Sequence, residues 1–311
     1  MPEAASTSGR VPEREAAMRV SLCLDPGRPW PQLLALAQRA EQAGWYAVYV
    51  CDHFMPHDPA GWPADAPMME CWMVLGALAA RTAAVALGSL VLGNTYRHPA
   101  VVADMAATVD QISHGRLVLG IGAGWQPNEH AAYGMPLPAA RDRISALDEA
   151  CVVIRSRLDE QPSAARGTAR RERPRDARPP ARIPLLVGGG GRAIMRVAAR
   201  HADVWHTWAD PAEFARKNTV LDALCQETGR LPADIVRACG ASVTVRTSRN
   251  SPRAGSESDV QGTPQDVLSQ LLAFRAAGAG EFIVRDDAGV PPPQALSQID
   301  ALTRTVLPSL T

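Results

Sequence analysis

Hydrophobic and polar positions follow two alternating periodicities from residue 19 towards the C-terminus. Short apolar runs rich in valine and leucine, such as RVSLCLD and WYAVYV, are typical of buried strands. Between these runs, apolar residues recur at helical spacing, as in the segment 31–43, whose pattern ends at Gly44. This alternation of strand and helix patterns predicts successive parallel βα units.

The pattern predicts eight strands in one domain. They lie at residues 19–25, 45–50, 85–93, 116–122, within 183–191, and at 203–208, 237–247 and 281–285. Helices are predicted at residues 31–43, 66–81, 99–112, within 139–158, and at 214–228, 263–277 and 294–307, with Thr263 as a helix cap. Eight βα units in a chain of 311 residues favour a (β/α)8 TIM barrel over an open doubly wound sheet.

Two segments depart from this pattern. Residues 1–18 are low in apolar residues and are interpreted as a flexible leader, so the folded domain is expected to span residues 19–311. Residues 162–182 are rich in arginine and proline and lack apolar periodicity, which predicts an irregular, mobile loop before the fifth strand. Arginines of this loop could steer an anionic ligand, but a solvated loop is the favoured interpretation.

Composition narrows the class of protein. The chain is 46% hydrophobic, and its 32 basic and 32 acidic residues balance, so no global charge recruits nucleic acid or an anionic membrane. No apolar run approaches the roughly 20 residues of a membrane span, and the start of the chain lacks the apolar stretch of a signal peptide. Six scattered cysteines without a CxxC pair are typical of reduced, buried thiols. We therefore expect a cytoplasmic protein.

A glycine turn follows the predicted fourth strand, in the stretch GRLVLGIGAGWQPNEH. Gly120, Gly122 and Gly124 give G-x-G-x-G, and Trp125 stands where a dinucleotide fingerprint requires its third glycine. A Rossmann turn would also normally follow the first strand of its domain. In a TIM barrel this turn lies at the C-terminal ends of the strands, which is where such barrels carry their active sites.

Polar and glycine residues at the predicted strand ends form the candidate site. They are Asp52, His53, Ser89, Leu90, Asn94, Gly122, Gly124, Trp125, Asn128, Gly188, Gly189, Gly190, Gly191 and His206. The four consecutive glycines can present free N–H groups to a phosphate at a helix start, although a simple tight connection is the alternative. Two glycine turns beside polar groups indicate an anionic cofactor.

Among the histidines, His53 suits proton transfer because the ordinary pKa of imidazole is near neutral, although a structural role is the alternative. Asp52 could orient the His53 ring or bond to the cofactor. His53 and His57 have the i,i+4 spacing of a metal pair, but Pro56 argues against a helix there, so we predict no metal site. His98 is expected to cap or pack at a helix start. Surface or structural positions are expected for His114, His130 and His201.

The tryptophans at 125, 205 and 208 lie near strand ends. Packing in the core or at the barrel rim is the expected role of such residues. Trp125 is the exception, because a tryptophan just beyond a glycine turn at the barrel mouth can form the wall of a substrate pocket.

Residues 87–134 and the segments VYVCDHF, IPLLVGGGG with ADVWHTW, and GTPQDVLSQLLAFRAAGAGEFIV resemble the bacterial-luciferase-like flavin and deazaflavin oxidoreductases. The resemblance is strongest to the coenzyme F420-dependent branch and covers roughly residues 19–286. It implies the same barrel fold that the hydrophobic pattern predicts.

The resemblance also implies roles for particular residues. A non-prolyl cis peptide beneath the cofactor ring would fall at Ser89-Leu90, and Asp52 and His53 would lie near the redox-active ring centre. Asn128 would contact the cofactor, and residues 188–191 would receive the cofactor phosphate.

Two features depart from the family pattern. Some sugar-phosphate dehydrogenases of the family place a glutamate proton donor where this chain has Trp125, which argues against that specific activity. Many relatives also carry an aromatic β-hairpin before the fifth strand, which the arginine and proline loop here lacks.

These observations favour an F420-dependent oxidoreductase that transfers a hydride between deazaflavin C5 and a small organic substrate. His53 would relay a proton, and Trp125 and His206 would line the substrate side. An FMN-dependent monooxygenase using reduced flavin and O2 is the alternative, and a non-catalytic cofactor-binding barrel is a third hypothesis. The resemblance implies a homodimer with helices of the early barrel units at its interface.

Overall fold

The computed structural model describes residues 17–56, 68–160, 182–246 and 259–310. Most of the predicted leader, His57 and nearly all of the predicted loop at 162–182 lie outside these residues. Met18, which the sequence pattern assigns to the leader, is buried, and its N–H donates to the carbonyl of Leu310 at 3.2 Å. The fold therefore includes Met18.

The described residues contain ten strands and nine α-helices. The strands are β1 (Arg19–Leu24), β2 (Ala47–Val50), β3 (Ala86–Ser89), β4 (Leu92–Gly93), β5 (Leu117–Gly122), β6 (Leu185–Gly188), β7 (Val204–Trp208), β8 (Val236–Val245), β9 (Val260–Gly262) and β10 (Glu281–Arg285). The helices are α1 (Trp30–Gln42), α2 (Cys71–Arg81), α3 (Pro99–Ile112), α4 (Pro127–Ala132), α5 (Ala140–Asp159), α6 (Arg192–His201), α7 (Pro211–Glu227), α8 (Pro264–Ala276) and α9 (Pro292–Thr305). In this part of the chain, no helix is long and apolar enough to cross a membrane.

The strands close into a parallel barrel, which confirms the predicted TIM fold. β1 pairs with β2 on one side and with β10 on the other, and β10 in turn pairs with β8. β3 and β4 together fill one position of the ring, because both pair with β5. All these pairings are parallel, so the C-terminal ends of the eight barrel positions lie at one face.

Alternate side chains of the strands belong to two different hydrophobic cores. The larger core lies between the strands and the surrounding helices. A smaller core fills the barrel interior with residues such as Tyr49, Leu90 and Ile283. At the N-terminal end of this interior, the buried Glu281 carboxylate accepts hydrogen bonds from Ser21 Oγ at 2.6 Å and from the Tyr49 hydroxyl at 3.0 Å. The barrel is therefore a packed core that is closed at its base.

The third barrel position is interrupted between β3 and β4. The Leu90–Val91 peptide bond is cis, one residue later than the predicted Ser89-Leu90 position, which is therefore wrong. The Leu90 N–H still donates to the carbonyl of Val50 at 2.9 Å, so the ladder continues through the peptide where we expected the cis bond. The Ser89 side chain is buried and bonds to the Gly120 carbonyl at 2.8 Å and the Gly120 N–H at 3.0 Å, which fixes β3 to β5.

Three glycines provide space for this interruption. A Cβ atom on Gly120 would lie 2.0 Å from the Ser89 carbonyl oxygen. Cβ atoms on Gly122 and Gly188 would lie 2.8 and 2.7 Å from methyl groups of Val91. Because these distances are too short for real contacts, the neighbouring strands approach the interruption closely only because they carry glycine there.

Polar caps mark the starts of three helices, two of which lie where the sequence predicts them. α3 has the predicted bounds, His98 caps it by accepting from the Ala100 N–H at 3.3 Å, and Thr263 caps α8 in a capping box with Asp266. α2 begins later than predicted because the Glu70 side chain caps it through the Met73 N–H. The short helix α4 and the strand β9 were not predicted from the sequence.

We expect Gly120→Ala to lower the free energy of unfolding by about 3 kcal/mol or more, because the added methyl group meets backbone rather than a flexible side chain. Gly76→Ala is the matched control. Gly76 lies inside α2, and a methyl group added there would have no heavy atom within 4 Å, so this change should stabilise the protein by about 0.5–1 kcal/mol. Urea unfolding of both variants provides the measurement, and wild-type stability of Gly120→Ala would contradict this account.

Candidate active site

The candidate residues lie at the C-terminal face of the barrel, as predicted. His53 follows β2, Asn94 follows β4, Trp125 follows β5 and His206 lies within β7. The rings of His53 and Trp125 meet edge to face with centroids 5.7 Å apart. The parallel topology thus brings polar groups from separate parts of the chain to one mouth.

A buried carboxylate that was not predicted organises this mouth. Glu129 lies on α4 with its side chain fully buried, and its Oε1 lies 3.0 Å from His53 Nδ1. The same oxygen accepts a hydrogen bond from the Tyr96 hydroxyl, and Oε2 accepts from the Phe54 N–H at 2.8 Å. Glu129 therefore joins the segments that follow β2, β4 and β5.

This contact changes the proton affinities of both partners. Burial alone would lower the pKa of His53, but the hydrogen bond to Glu129 and nearby negative charges outweigh it, so the pKa of His53 is raised. Burial alone would raise the pKa of Glu129, but its bonds to His53 and Tyr96 prevail and lower it. The pair accordingly favours a protonated imidazole beside an ionised carboxylate.

Asp52 is engaged by an arginine and makes no hydrogen bond with His53 among the described contacts. Its carboxylate binds Arg97 through two contacts, at 2.8 and 3.1 Å, and accepts from the Gly93 N–H at 3.1 Å. Arg97 also binds Glu70 Oε1 at 2.6 Å. Asp52 thus fixes the segment after β2 to the segment after β3 and β4, whereas Glu129, rather than Asp52, orients the imidazole of His53.

Side chains around the start of α4 hold the same segment in place. Gln126 Nε2 donates to the Met55 carbonyl at 2.9 Å, and Asn128 Nδ2 donates to the Pro56 carbonyl at 3.2 Å. The Asn128 amide group, which was expected to contact the cofactor, is therefore partly committed to the protein. His130 is buried, with Nδ1 bonded to the Gln126 carbonyl at 2.6 Å, so of the two expected positions, surface or structural, it has the structural one.

The second glycine turn leads into a helix whose first N–H groups lack a side-chain cap. α6 begins at Arg192 after Gly191, and no side chain caps this end. Gly189 has a φ of +134°, and its carbonyl accepts from Trp205 Nε1 at 2.9 Å. Lys217 Nζ donates to the Gly190 carbonyl at 2.8 Å and also pairs with the Glu213 carboxylate at 3.2 Å, which balances part of its charge. These features suit an anion.

Two polar atoms of predicted site residues are buried without a hydrogen-bond partner among the described residues. They are Asn94 Oδ1 and His206 Nε2. Burial lowers the pKa of His206 to about 3, so its ring is neutral at physiological pH. Buried polar atoms normally find partners, and these two can bond to a bound molecule. This donor and acceptor set fits a cofactor ring that carries both N–H and C=O groups.

The three tryptophans occupy different environments. Trp205 is fully buried and stacks on Phe214 with centroids 5.7 Å apart. Trp125 and Trp208 are about half exposed, and Trp208 packs edge to face against His206 at 4.6 Å. Trp125 and Trp208 can therefore line a substrate pocket at the mouth, whereas Trp205 belongs to the core.

Sequence reasoning did not select Glu129, Tyr96, Arg97 or Lys217. Glu129 lies in the first turn of a short helix, where an acidic residue is usually attributed to the helix dipole. Its role as the partner of His53 is visible only in the folded structure, where three segments that are distant in sequence lie together. Among the described residues, no group of three histidine, cysteine or acidic side chains could hold a metal ion. The predicted absence of a His53 and His57 metal pair is not tested, because His57 is not described.

Comparison with known proteins finds a matching protein family and similar sequences. The model of the luciferase-like monooxygenase family matches residues 15–258. An F420-dependent glucose-6-phosphate dehydrogenase of Beutenbergia cavernae is 36% identical over 197 residues, which are 62% of this chain and 57% of that protein. A second one, from Nakamurella multipartita, is 35% identical over 62% of this chain and 56% of its own length. The chain thus matches less than two thirds of each of these relatives.

Solved structures share the fold at lower sequence identity. The coenzyme F420-dependent tetrahydromethanopterin reductase of Methanopyrus kandleri is 19% identical, with a TM-score of 0.74 over 96% of this chain and 100% of that chain. A monooxygenase of Streptomyces bottropensis is 20% identical, with a TM-score of 0.73 over 94% of this chain and 100% of that chain. These likenesses support the barrel fold described above.

We expect Glu129→Gln to lower the pKa of His53, because the substitution removes both a negative charge and a strong acceptor. The protonated pair should stabilise the native fold below the ordinary pKa of histidine, and this contribution should fade as the pH rises through the raised pKa. NMR titration of the imidazole measures the shift. Asp148→Asn is the control, because Asp148 pairs with a different histidine, His201, at 2.8 Å. An unchanged His53 pKa in Glu129→Gln would refute the coupling.

Proposed function

Because the chain belongs to the luciferase-like monooxygenase family, we propose that it is an oxidoreductase that uses coenzyme F420. In this proposal a hydride moves between C5 of the deazaflavin and a small organic substrate. The names of the F420-dependent dehydrogenases to which the chain is similar support the choice of cofactor. The observation that carries the proposal is the imidazole of His53, held by the buried Glu129 at the barrel mouth.

The residues at the mouth fit such a cofactor. The deazaflavin ring presents N–H and C=O groups, which suit the unpartnered Asn94 Oδ1 and His206 Nε2. Its phosphate suits the uncapped N-terminus of α6. Lys217 lies beside this turn, where it bonds to Gly190 and pairs with Glu213, and could turn to the phosphate when the cofactor binds. When bound, the cofactor supplies a hydride acceptor or donor at C5. The interruption between β3 and β4 is the position at which the family resemblance implies support for the ring.

His53 is proposed to donate or accept the proton that accompanies hydride transfer. Its Nδ1 faces the Glu129 carboxylate, so we assign the proton of the neutral ring to Nδ1 and leave Nε2 to exchange a proton with substrate. Glu129 holds the ring in that tautomer and stabilises the imidazolium. The Tyr96 hydroxyl donates to the same carboxylate, and burial and Glu129 raise the pKa of Tyr96, so Tyr96 stays neutral and positions Glu129.

The substrate is proposed to pack against Trp125, whose ring is half exposed beside His53. The family resemblance would place a glutamate at this position in some sugar-phosphate dehydrogenases, and tryptophan cannot exchange a proton there. We therefore do not propose glucose 6-phosphate, which the names of the relatives give, as the substrate of this chain. His53 remains as the proton-exchanging group beside the Trp125 wall.

The family description also supports a second candidate, a monooxygenase that uses reduced FMN and O2. The same mouth could accept either ring system, because both carry a pyrimidine ring with N–H and C=O groups. The preference of the apoprotein for F420 or for FMN distinguishes the two candidate functions.

We also propose that the protein is a cytoplasmic homodimer. All six cysteines are free, which supports a reducing compartment. Exposed apolar side chains lie on three neighbouring helices, with Met73 on α2, Ile112 on α3 and Val152 on α5. A second copy of the chain would bury this surface. Sedimentation equilibrium should give twice the 33.2 kDa chain mass, and a mass equal to one chain would refute the dimer.

We expect His53→Ala to lower kcat by about 10²- to 10⁴-fold, the usual contribution of general acid–base catalysis, while leaving F420 affinity nearly unchanged. Turnover is followed by the loss of F420 fluorescence on reduction, with a substrate identified from a panel of alcohols and other small hydride donors. His98→Ala is the control, because His98 caps α3 and lies outside the proposed machinery. Wild-type turnover in His53→Ala would remove the assigned role of His53.

A further inference from the structure

Two cysteines meet in the barrel interior just below the proposed site. Cys23 lies on β1, and Cys51 immediately follows β2. In the parallel register Cys23 is opposite Tyr49, so Cys51 projects from the same face of the sheet one repeat further along. Their sulfur atoms are 3.5 Å apart. The topology thus brings together two thiols that are separated by 28 positions in the chain.

The geometry of this thiol pair allows a covalent bond. A disulfide requires a sulfur separation of about 2.05 Å, so the two sulfur atoms would need to approach by about 1.5 Å. Cys23 is held within the ladder of β1, but β2 ends at Val50, before Cys51. Cys51 lies two positions beyond Tyr49, the residue opposite Cys23, so the two Cα atoms are about 7–8 Å apart and the disulfide requires the backbone at Cys51 to move towards β1. This backbone lies outside the β2 ladder, which ends at Val50.

The two thiols also differ in chemical character. The hydrogen bond from the Cys23 thiol lowers the pKa of Cys51 most strongly, burial opposes this effect, and the charge of His53 adds to it. The same hydrogen bond and burial raise the pKa of Cys23. Cys51 is also half-buried, whereas Cys23 is 1% exposed. Cys51 is thus the nucleophile that an oxidant can reach, and Cys23 is the resolving thiol.

We propose that Cys23 and Cys51 form a reversible disulfide when the protein meets a hydroperoxide, so that the pair is a redox modification site. The Cys51 thiolate attacks one peroxide oxygen, the O–O bond breaks, and the departing oxygen leaves as water after protonation. The resulting Cys51 sulfenic acid is attacked by the Cys23 sulfur, the S–O bond breaks, and hydroxide leaves with the Cys23 proton as a second water. Overall, two thiols are oxidised and one hydrogen peroxide is reduced to two waters.

The disulfide would act on the neighbouring site. Cys51 directly precedes Asp52 and His53, which contact Arg97 and Glu129 on other segments. Drawing Cys51 towards β1 moves this segment away from both partners. Oxidation would therefore weaken the contact between His53 and Glu129 whichever cofactor the site binds, so the inference does not depend on the proposed use of F420.

The test treats the fully reduced protein with hydrogen peroxide and counts free thiols by alkylation after denaturation. We expect the count to fall by two from six, the intact mass to fall by about 2 Da, and peptide mapping to join Cys23 to Cys51. A dithiol reductant should restore all six thiols. The NMR signal of the His53 imidazole should shift on oxidation and return on reduction.

Three variants make the test specific. Cys23→Ser and Cys51→Ser should each abolish the disulfide, and either one suffices if the other fails to fold. Cys225→Ser is the matched control, because Cys225 is buried on α7 and the cross-link should still form. Six free thiols after oxidation, a cross-link between other cysteines or chains, or overoxidised Cys51 beside a free Cys23 would each overturn the proposal.

Discussion

One buried carboxylate, that of Glu129, holds the mouth of this barrel together. It accepts from the Tyr96 hydroxyl and the Phe54 N–H and faces His53 Nδ1, so two segments that are distant in sequence converge on it. A carboxylate buried without such partners would carry a large desolvation penalty. The segment that carries His53 is therefore fixed by the same interactions that keep Glu129 ionised. The proposed catalytic geometry and the local stability depend on one group.

The glycine turns serve this geometry indirectly. Their spacing predicts close approach of a ligand, yet Gly120, Gly122 and Gly188 make room for the protein's own interruption between β3 and β4. The interruption places Val91 against the glycine positions of two neighbouring strands. The fold therefore requires these glycines whichever ligand the mouth binds. The uncapped start of α6 is the part of these turns that we propose binds an anion.

The sequence predicts the barrel well because its strands and helices carry local signals. α3 has the predicted bounds, and the Thr263 capping box lies where its motif indicates. The site is predicted less completely. His53 and Trp125 are adjacent to strand ends and can be selected by position, but the partnership of Glu129 with His53 joins residues 76 positions apart. The cis peptide lies one residue later than the family resemblance implied, at Leu90–Val91.

The central claim is that the mouth of the barrel binds a deazaflavin cofactor. Titration of the purified apoprotein with F420 and, in parallel, with FMN tests it most directly, with cofactor fluorescence as the signal. The account predicts saturable F420 binding that is much tighter than FMN binding, and weaker F420 binding when Lys217, the single lysine of the chain, is replaced by glutamine. Tighter binding of FMN would contradict the account and favour a flavin monooxygenase, and binding of neither cofactor would contradict both.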